Sequence, residues 1–135
     1  APPLEPVEVL SSQASSSLLT EEQIKAQYRT DLDVRELTKD VSKYKDWKLY
    51  FEGEVLTIYG GEDGTQIQLM VKYPGQGPYD EDEIIIINTL GDTPGIYKNS
   101  RVAVWGRPVR TVEFQNMLGG IVSQPLLTAD YVEKL

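Results

Sequence analysis

The chain has no cysteine and no histidine among its 135 residues. Without thiols it has no disulfide, no thiolate zinc site and no cysteine nucleophile. Without imidazole it lacks the most frequent general base and the commonest metal-ligating side chain. These absences exclude most familiar hydrolase mechanisms. A chain without cysteine also fits an oxidising compartment, because an unpaired thiol is a liability there.

Long apolar runs and a positive net charge are lacking as well. No stretch approaches the roughly 18 apolar residues that a membrane-spanning helix needs. The 21 acidic residues outnumber the 13 basic ones and give a net charge of −8. Because non-specific affinity for nucleic acid comes mainly from Lys and Arg, this balance opposes general polyanion binding, although a local basic stripe stays compatible with it.

The beginning of the chain is rich in proline and then in serine, a composition typical of a flexible tether. We therefore predict a tether over residues 1–18 and a single domain over residues 19–135. The first residue is not Met, and a tether of this kind commonly follows a secretory signal or a lipid anchor. This pattern favours an extracytoplasmic protein, secreted, periplasmic or surface-anchored through a membrane tether upstream of residue 1. An arbitrary start of the chain is the alternative.

Two capping patterns predict short helices ahead of the strands. Thr20 and Gln23 have the spacing of a capping box, which predicts a helix over 20–29. Asp33 precedes Glu36 by the same interval, which predicts a helix over 34–44.

From Trp47 onwards, apolar and polar residues alternate with the period of a β-strand. The Asp63-Gly64 pair then predicts a tight hairpin into the next strand. The remaining patterns predict strands over 66–73, 83–88, 101–108 and 109–123, the last interrupted at Gly119 and Gly120, and a final helical turn or two over 128–135.

Five short strands without the longer helices of parallel α/β folds indicate a mainly β protein. Gly53 allows the first strand to coil so that it serves both ends of a small barrel. The predicted fold is therefore a five-stranded OB-fold-like barrel preceded by one or two short N-terminal helices.

The stretch from Glu36 to Val55, with a short helix, a Tyr-Lys turn and an alternating strand, resembles the opening of small secreted or lipoprotein OB-fold domains of the tRNA-anticodon-binding-like type. The Val-Trp-Gly sequence at 104–106 and the stretches over 114–120 and 125–130 are similar to the closing strands and tail of that family. The chain departs from it at Asp46 and Trp47, where the family tends to have glycine, and at the turn-rich residues 91–95, which replace the helix expected before the fourth strand. The resemblance implies an OB-fold and, by the family's name, nucleic-acid binding.

Aromatic and basic residues supply the candidate ligand-binding positions. Aromatic side chains on an OB-fold stack on bases or sugars, and Arg residues beside the connection between the last two strands bind anions. The alternatives are ordinary strand surface for the aromatics and a solvated sheet edge for the arginines. The candidates are Tyr50, Tyr59, Tyr73, Arg107, Arg110 and Phe114.

An acidic run over 80–83 precedes four consecutive isoleucines. Its carboxylates are the ligand type of Ca²⁺ or Mg²⁺, but neighbouring side chains of an extended segment point to opposite faces, so we predict no metal site and interpret the acids as gatekeepers against aggregation. The isoleucines are predicted to form a strand buried on both faces, and the alternative is that a partner covers one face.

Nothing in the sequence favours catalysis or a cofactor. No Gly-x-Ser-x-Gly elbow, phosphate loop or dinucleotide fingerprint is present. We therefore expect a non-enzymatic binding module that mediates protein interaction or envelope assembly. The alternative is binding of single-stranded nucleic acid or oligosaccharide in a cleft formed by the second and third strands with the connections around 60–65 and 107–114.

Overall fold

The computed structural model describes residues 19–135, so the predicted tether over 1–18 lies outside the described residues. Two short α-helices and a 3-10 helix come first, followed by five strands. In chain order the elements are α1 (Glu21–Lys25), α2 (Val34–Lys39), the 3-10 helix (Val41–Tyr44), β1 (Leu49–Gly61), β2 (Gly64–Val71), β3 (Glu83–Thr89), β4 (Arg101–Gln115) and β5 (Ile121–Lys134).

The five strands close into a barrel in the order β1-β2-β3-β5-β4, with β4 returning to β1. All pairs are antiparallel except β3 with β5, which run parallel. This arrangement is an OB-fold-like barrel, and it confirms the predicted fold class.

Strand β1 forms two different sheet pairings along its length. Its first half pairs with β4 and its second half with β2, and Glu54 has a partner in both. The coil between the halves needs Gly53, since a Cβ there would lie 2.3 Å from the carbonyl oxygen of Met70. A bulge between Val55 and Thr57 follows, which reverses the alternation of the second half.

Inward-facing side chains of all five strands fill the barrel, and the largest fully buried ones include Leu49, Ile67, Leu69 and Leu127. The predicted burial of the isoleucine run is confirmed at positions 85, 86 and 87. Ile86 points outward but is covered, because the neighbouring β5 residue Leu126 lies beside it. The α2 segment contributes Val34 and Leu37 to the same core.

Both predicted helices are shorter than expected. The capping box of Thr20 and Gln23 is present, but α1 ends at Lys25, and Arg29 forms a bridge to the free edge of β1 instead. The second prediction, over 34–44, breaks at Asp40 into α2 and the 3-10 helix. Chain segments beside a barrel follow the packing surface, which overrides the local helical pattern.

The C-terminal predictions were wrong in two respects. Residues 109–115 continue β4, and the glycines at 119 and 120 belong to a hairpin turn rather than to an interrupted fifth strand. Residues 128–135 contain no helix, because β5 runs from Ile121–Lys134 and pairs with almost all of β4. The connection predicted at 107–114 therefore lies inside β4, and the β4–β5 turn occupies 116–120 instead.

Asp46, the position at which the sequence departs from the family it resembles, has a positive φ of 75°. This left-handed conformation is easy for glycine and tolerated by aspartate. The chain therefore keeps the turn without the glycine. Within residues 19–135, no helix has the length and apolar character needed to cross a membrane.

We expect Gly53→Ala to destabilise the protein by about 2–3 kcal/mol, because the added methyl group meets the Met70 carbonyl and the buried side chain of Leu69. Gly60→Ala is the matched control on the same strand, since a Cβ there has no neighbour within 4 Å. Urea unfolding followed by circular dichroism measures both. Equal stability of the two variants would contradict this account of the barrel closure.

Candidate functional site

The register of the strands aligns outward-pointing side chains in two rows across the barrel, a polar first row and a second row with Ile86 and Leu126 at its centre. Residues paired on neighbouring strands point to the same face, so each row can be followed from β1 to β4. The first row consists of Tyr59, Gln66, Asn88, Thr128 and Arg107. The second row consists of Thr57, Gln68, Ile86, Leu126 and Arg110.

A cleft of about 530 Å³ lies along the first row, and we call it the Tyr59 cleft. Tyr59 is 64% exposed at one wall, while Gln66 donates a 3.2 Å hydrogen bond to Asn88 on its floor. The β1–β2 turn forms another wall. It can approach β3 closely because Gly64 has no side chain, since a Cβ at this position would lie 2.2 Å from the Thr89 carbonyl oxygen. The remaining lining includes Leu90 and Thr128.

A second pocket of about 640 Å³ continues the Tyr59 cleft towards β4, since both are lined by Thr89, Leu90 and Thr128. Its basic residues are already engaged. Arg107 forms a 2.8 Å ion pair with Asp130, and Lys48 donates to Gln27 at 3.1 Å. Glu62 and Asp63 lie at the rim of the Tyr59 cleft. This region therefore offers carboxylates that accept hydrogen bonds from hydroxyl groups, and within residues 19–135 it offers no unpaired positive charge.

Tyr28 binds the same carboxylate as Arg107. Its ring is buried, and its hydroxyl donates a 2.6 Å hydrogen bond to Asp130. Burial, followed by this bond, raises the pKa of Tyr28 well above its ordinary value of 10. The hydrogen bonds that Arg107 donates to Asp130 raise the pKa of Arg107 in the same way. Asp130 therefore fixes both side chains.

Arg110, the last member of the second row, lies in a different electrostatic setting. It lines a pocket of about 350 Å³ together with Lys39, Lys45 and Asp40. Arg110 forms no ion pair within residues 19–135, while Asp40 accepts a hydrogen bond from Ser42 at 2.7 Å. Three cations therefore gather at the edge of β4, and of these Lys39 also pairs with Glu36 at 3.6 Å. We call this place the basic pocket.

Beyond the basic pocket, β4 and β5 extend as a two-stranded arm, formed by residues 111–124. The turn at its tip is held by the Asn116 side chain, which accepts hydrogen bonds from the amides of Leu118 and Gly120. Phe114 follows Arg110 by four residues on one strand, so both side chains share a face. Exposed apolar side chains of the arm are Phe114, Met117, Leu118, Ile121 and Val122.

Tyr50 and Tyr73 line a third pocket, of about 420 Å³, beside the start of α2. Tyr73 lies under the Arg35 guanidinium, 4.3 Å from the ring centroid. Tyr50 packs on Trp105, and its hydroxyl donates to Glu52. Burial and then the Glu52 bond raise the pKa of Tyr50 to about 12.

The six predicted positions therefore divide among three places. The Tyr59 cleft and its continuation contain Tyr59 and Arg107, the basic pocket and arm contain Arg110 and Phe114, and the third pocket contains Tyr50 and Tyr73. If the alternation of β1 were unbroken, Tyr50 and Tyr59 would lie on opposite faces of the strand. The bulge after Val55 places both on the outer face.

The acidic run over 80–83 acts within its own loop. Asp80 accepts a 2.8 Å hydrogen bond from the Gly77 amide, and Asp82 binds Gln76 and Lys72. Across residues 19–135, no group of three acidic side chains is placed to hold a metal ion. The carboxylates organise the turn before β3.

Sequence reasoning missed the amide side chains of the two rows and the lysines of the basic pocket. The alternation of β2 already places Gln66 and Gln68 outward, which was a usable signal. The lysines gave none, because Lys39 and Lys45 flank a 3-10 helix whose position beside Arg110 depends on the tertiary fold.

No protein-family model matches the chain. No curated protein matches it either. Among solved structures, the chain is similar to the mitochondrial single-stranded DNA binding protein Rim1 from S. cerevisiae, with 13% sequence identity and a TM-score of 0.46. The match covers 65% of this chain and 93% of that one.

We predict that stability falls above about pH 10 and that Tyr28 contributes to this fall. Unfolding returns the tyrosine to its ordinary pKa of 10, so at higher pH the unfolded state releases a proton that the folded state keeps. The loss is at most about 1.4 kcal/mol per pH unit for this group. Urea unfolding at several pH values measures it.

Tyr28→Phe is expected to flatten this pH dependence, and Tyr97→Phe is the control because its ring is 68% exposed. An identical alkaline loss in wild type and Tyr28→Phe would show that the buried hydroxyl plays no part.

Proposed function

We propose that the protein is a non-enzymatic binding module that holds single-stranded nucleic acid between the basic pocket and Phe114 of the arm. The observation that carries this proposal is the basic pocket, where Arg110, Lys39 and Lys45 meet at the end of the second row. A backbone phosphate fits there, since Arg110 and Lys45 form no ion pair within residues 19–135 and Lys39 forms only a 3.6 Å pair with Glu36.

The rest of the surface suits bases rather than phosphates. Gln68 of the second row is engaged within the barrel, since its amide donates to Gln124 at 3.4 Å and accepts a 2.7 Å hydrogen bond from Thr57. The exposed ring of Phe114 offers a stacking face on the same side of β4 as Arg110. Tyr59 offers a second stacking face at the far end of the neighbouring row.

The charge of the chain limits this mode of binding. Arg107 is paired with Asp130, so the phosphate contacts rest on the three cations of the basic pocket. Each neutralised phosphate contributes a slope of about −0.7 to the dependence of log affinity on log salt concentration for single strands. We therefore expect a slope no steeper than about −2, with most of the affinity from stacking and base contacts.

We predict that Arg110→Ala makes this salt slope shallower by about 0.7, because one phosphate contact is lost. The measurement is fluorescence anisotropy with labelled 20-nucleotide DNA and RNA strands between about 50 and 200 mM salt, a range in which phosphate contacts become visible. Arg101→Ala is the matched control, as Arg101 is also exposed on β4 but lies outside the basic pocket.

Phe114→Ala is expected to weaken binding at every salt concentration without changing the slope, since stacking carries no counterion release. Absence of binding at the lowest salt, or equal slopes for Arg110→Ala and Arg101→Ala, would overturn the proposal.

A neutral oligosaccharide is the second candidate ligand, and the Tyr59 cleft favours it. An exposed tyrosine ring, the Gln66–Asn88 amide pair and the carboxylates of Glu62 and Asp63 are groups that stack on and hydrogen-bond sugars. The acidic lip repels phosphate, whereas it accepts hydrogen bonds from hydroxyl groups.

If the cleft holds sugar, Tyr59→Ala weakens binding about tenfold while salt has little effect. A panel of labelled neutral hexasaccharides tested by anisotropy measures this, with Tyr97→Ala as the exposed-tyrosine control. Failure of every hexasaccharide to bind wild type would remove this candidate and leave the nucleic-acid test unaffected.

A protein partner and a role in envelope assembly stay predictions, and a different surface now supports them. The isoleucine run that suggested them is buried at 85–87, so the exposed apolar tip of the arm is now the surface that favours a protein. Extracytoplasmic location and membership of the secreted or lipoprotein anticodon-binding-like type also stay predictions, supported by the lack of cysteine and by the sequence resemblance.

A further inference from the structure

A cluster of aromatic rings lies on the outer face of the barrel where β1, β4 and β5 run side by side. The register places Trp105 opposite both Tyr50 and Tyr131. The rings of Trp105 and Tyr131 are nearly perpendicular, at 88°, with centroids 6.5 Å apart. Tyr50 adds a third ring, 5.0 Å from Trp105 and tilted by 56°. Rings that meet at such angles form the walls of a cage.

The cage encloses a positive charge that belongs to the chain itself. The Lys25 ammonium lies 4.2 Å from the centroid of Trp105 and 5.1 Å from that of Tyr131. Glu21 binds the same ammonium at 3.0 Å, and Glu133 pairs with it from β5. Only 12% of the Lys25 side chain is exposed, which is unusual for a lysine.

The helix that delivers Lys25 has little other attachment through its own residues. Helix α1 spans five residues and buries none of them. The first buried side chain after it is Tyr28, which sits against Asp130 rather than in the cage. Lys25 can therefore leave the cage if the short exposed helix α1 unfolds, and the strand pairing of the barrel is then unchanged.

We propose that Trp105 and Tyr131, with Tyr50 packed against Trp105, form a binding site for a trimethylammonium group and that Lys25 occupies this site until such a group displaces it. Ring faces attract cations, and quaternary ammonium groups are recognised in this way because they cannot donate hydrogen bonds and are weakly hydrated. Glu133, which already pairs with Lys25, supplies the compensating negative charge. The site shares Tyr131 with the second pocket and Tyr50 with the third, and it has no residue in common with the Tyr59 cleft or the basic pocket.

Lys25 competes as a tethered group at an effective concentration in the millimolar range or above, so the wild-type chain binds a free ammonium weakly. Lys25→Ser removes this competitor. We expect tetramethylammonium to bind the Lys25→Ser variant with a dissociation constant on the order of 10 mM and the wild type at least tenfold more weakly.

The reporter is the indole N–H signal of Trp105 in nuclear magnetic resonance spectra of labelled protein. The chain has two tryptophans, so Trp47→Phe assigns the signal. Sodium chloride at matched ionic strength controls for salt, and 3,3-dimethyl-1-butanol controls for simple filling of an apolar space. Lys25→Arg is the matched variant, because it keeps a cation in the cage and is expected to resemble wild type.

Saturable shifts with tetramethylammonium in Lys25→Ser, and their loss when Trp105→Leu or Tyr131→Leu is added, support the proposal. Equal shifts with the neutral alcohol, or no shift in a Lys25→Ser variant whose circular dichroism is native, overturn it. Two further arms distinguish the sources of the group. Phosphatidylcholine vesicles test a lipid headgroup, and a trimethyllysine peptide tests a modified protein.

Discussion

The double pairing of β1 is the constraint on which the rest of the structure depends. One strand of 13 residues must serve β4 with its first half and β2 with its second, and Glu54 belongs to both pairings. The strand can coil this sharply because Gly53 leaves space for the Met70 carbonyl, and the bulge after Val55 reverses the inward and outward alternation of its second half. Without this coil the sheet would have two open edges, and its unpaired backbone groups would be exposed.

Closure also determines how charge is distributed on an acidic protein. Pairing across the closed barrel brings Arg107 to the side of Asp130, where it is neutralised, and carries Arg110 past a bulge to the lysines around the 3-10 helix. Two arginines three positions apart thus lie in opposite electrostatic settings. The net charge of −8 conceals this local difference, which is why composition alone is a poor guide to the ligand.

The sequence patterns predicted those parts of the fold that depend on near neighbours. Alternation located β1, β2 and β3, and the capping box at Thr20 located the start of α1. The same reasoning failed for residues 109–135, where a Gly-Gly pair resembles an interruption until its partner strand is known. For the candidate site it identified Tyr59 and Arg110 but missed Lys39 and Lys45, since their proximity to Arg110 is created only by tertiary packing.

The parallel contact between β3 and β5 has a consequence for the order of folding. Ile86 and Ile87 pair with Leu126 and Leu127, which follow all of β4 in the chain. Pairing between segments so distant in sequence is slow, so we expect this contact to form late. The acidic turn over 80–83 lies directly before the apolar β3, and charges in such a position discourage association between copies of a chain while a sheet is incomplete.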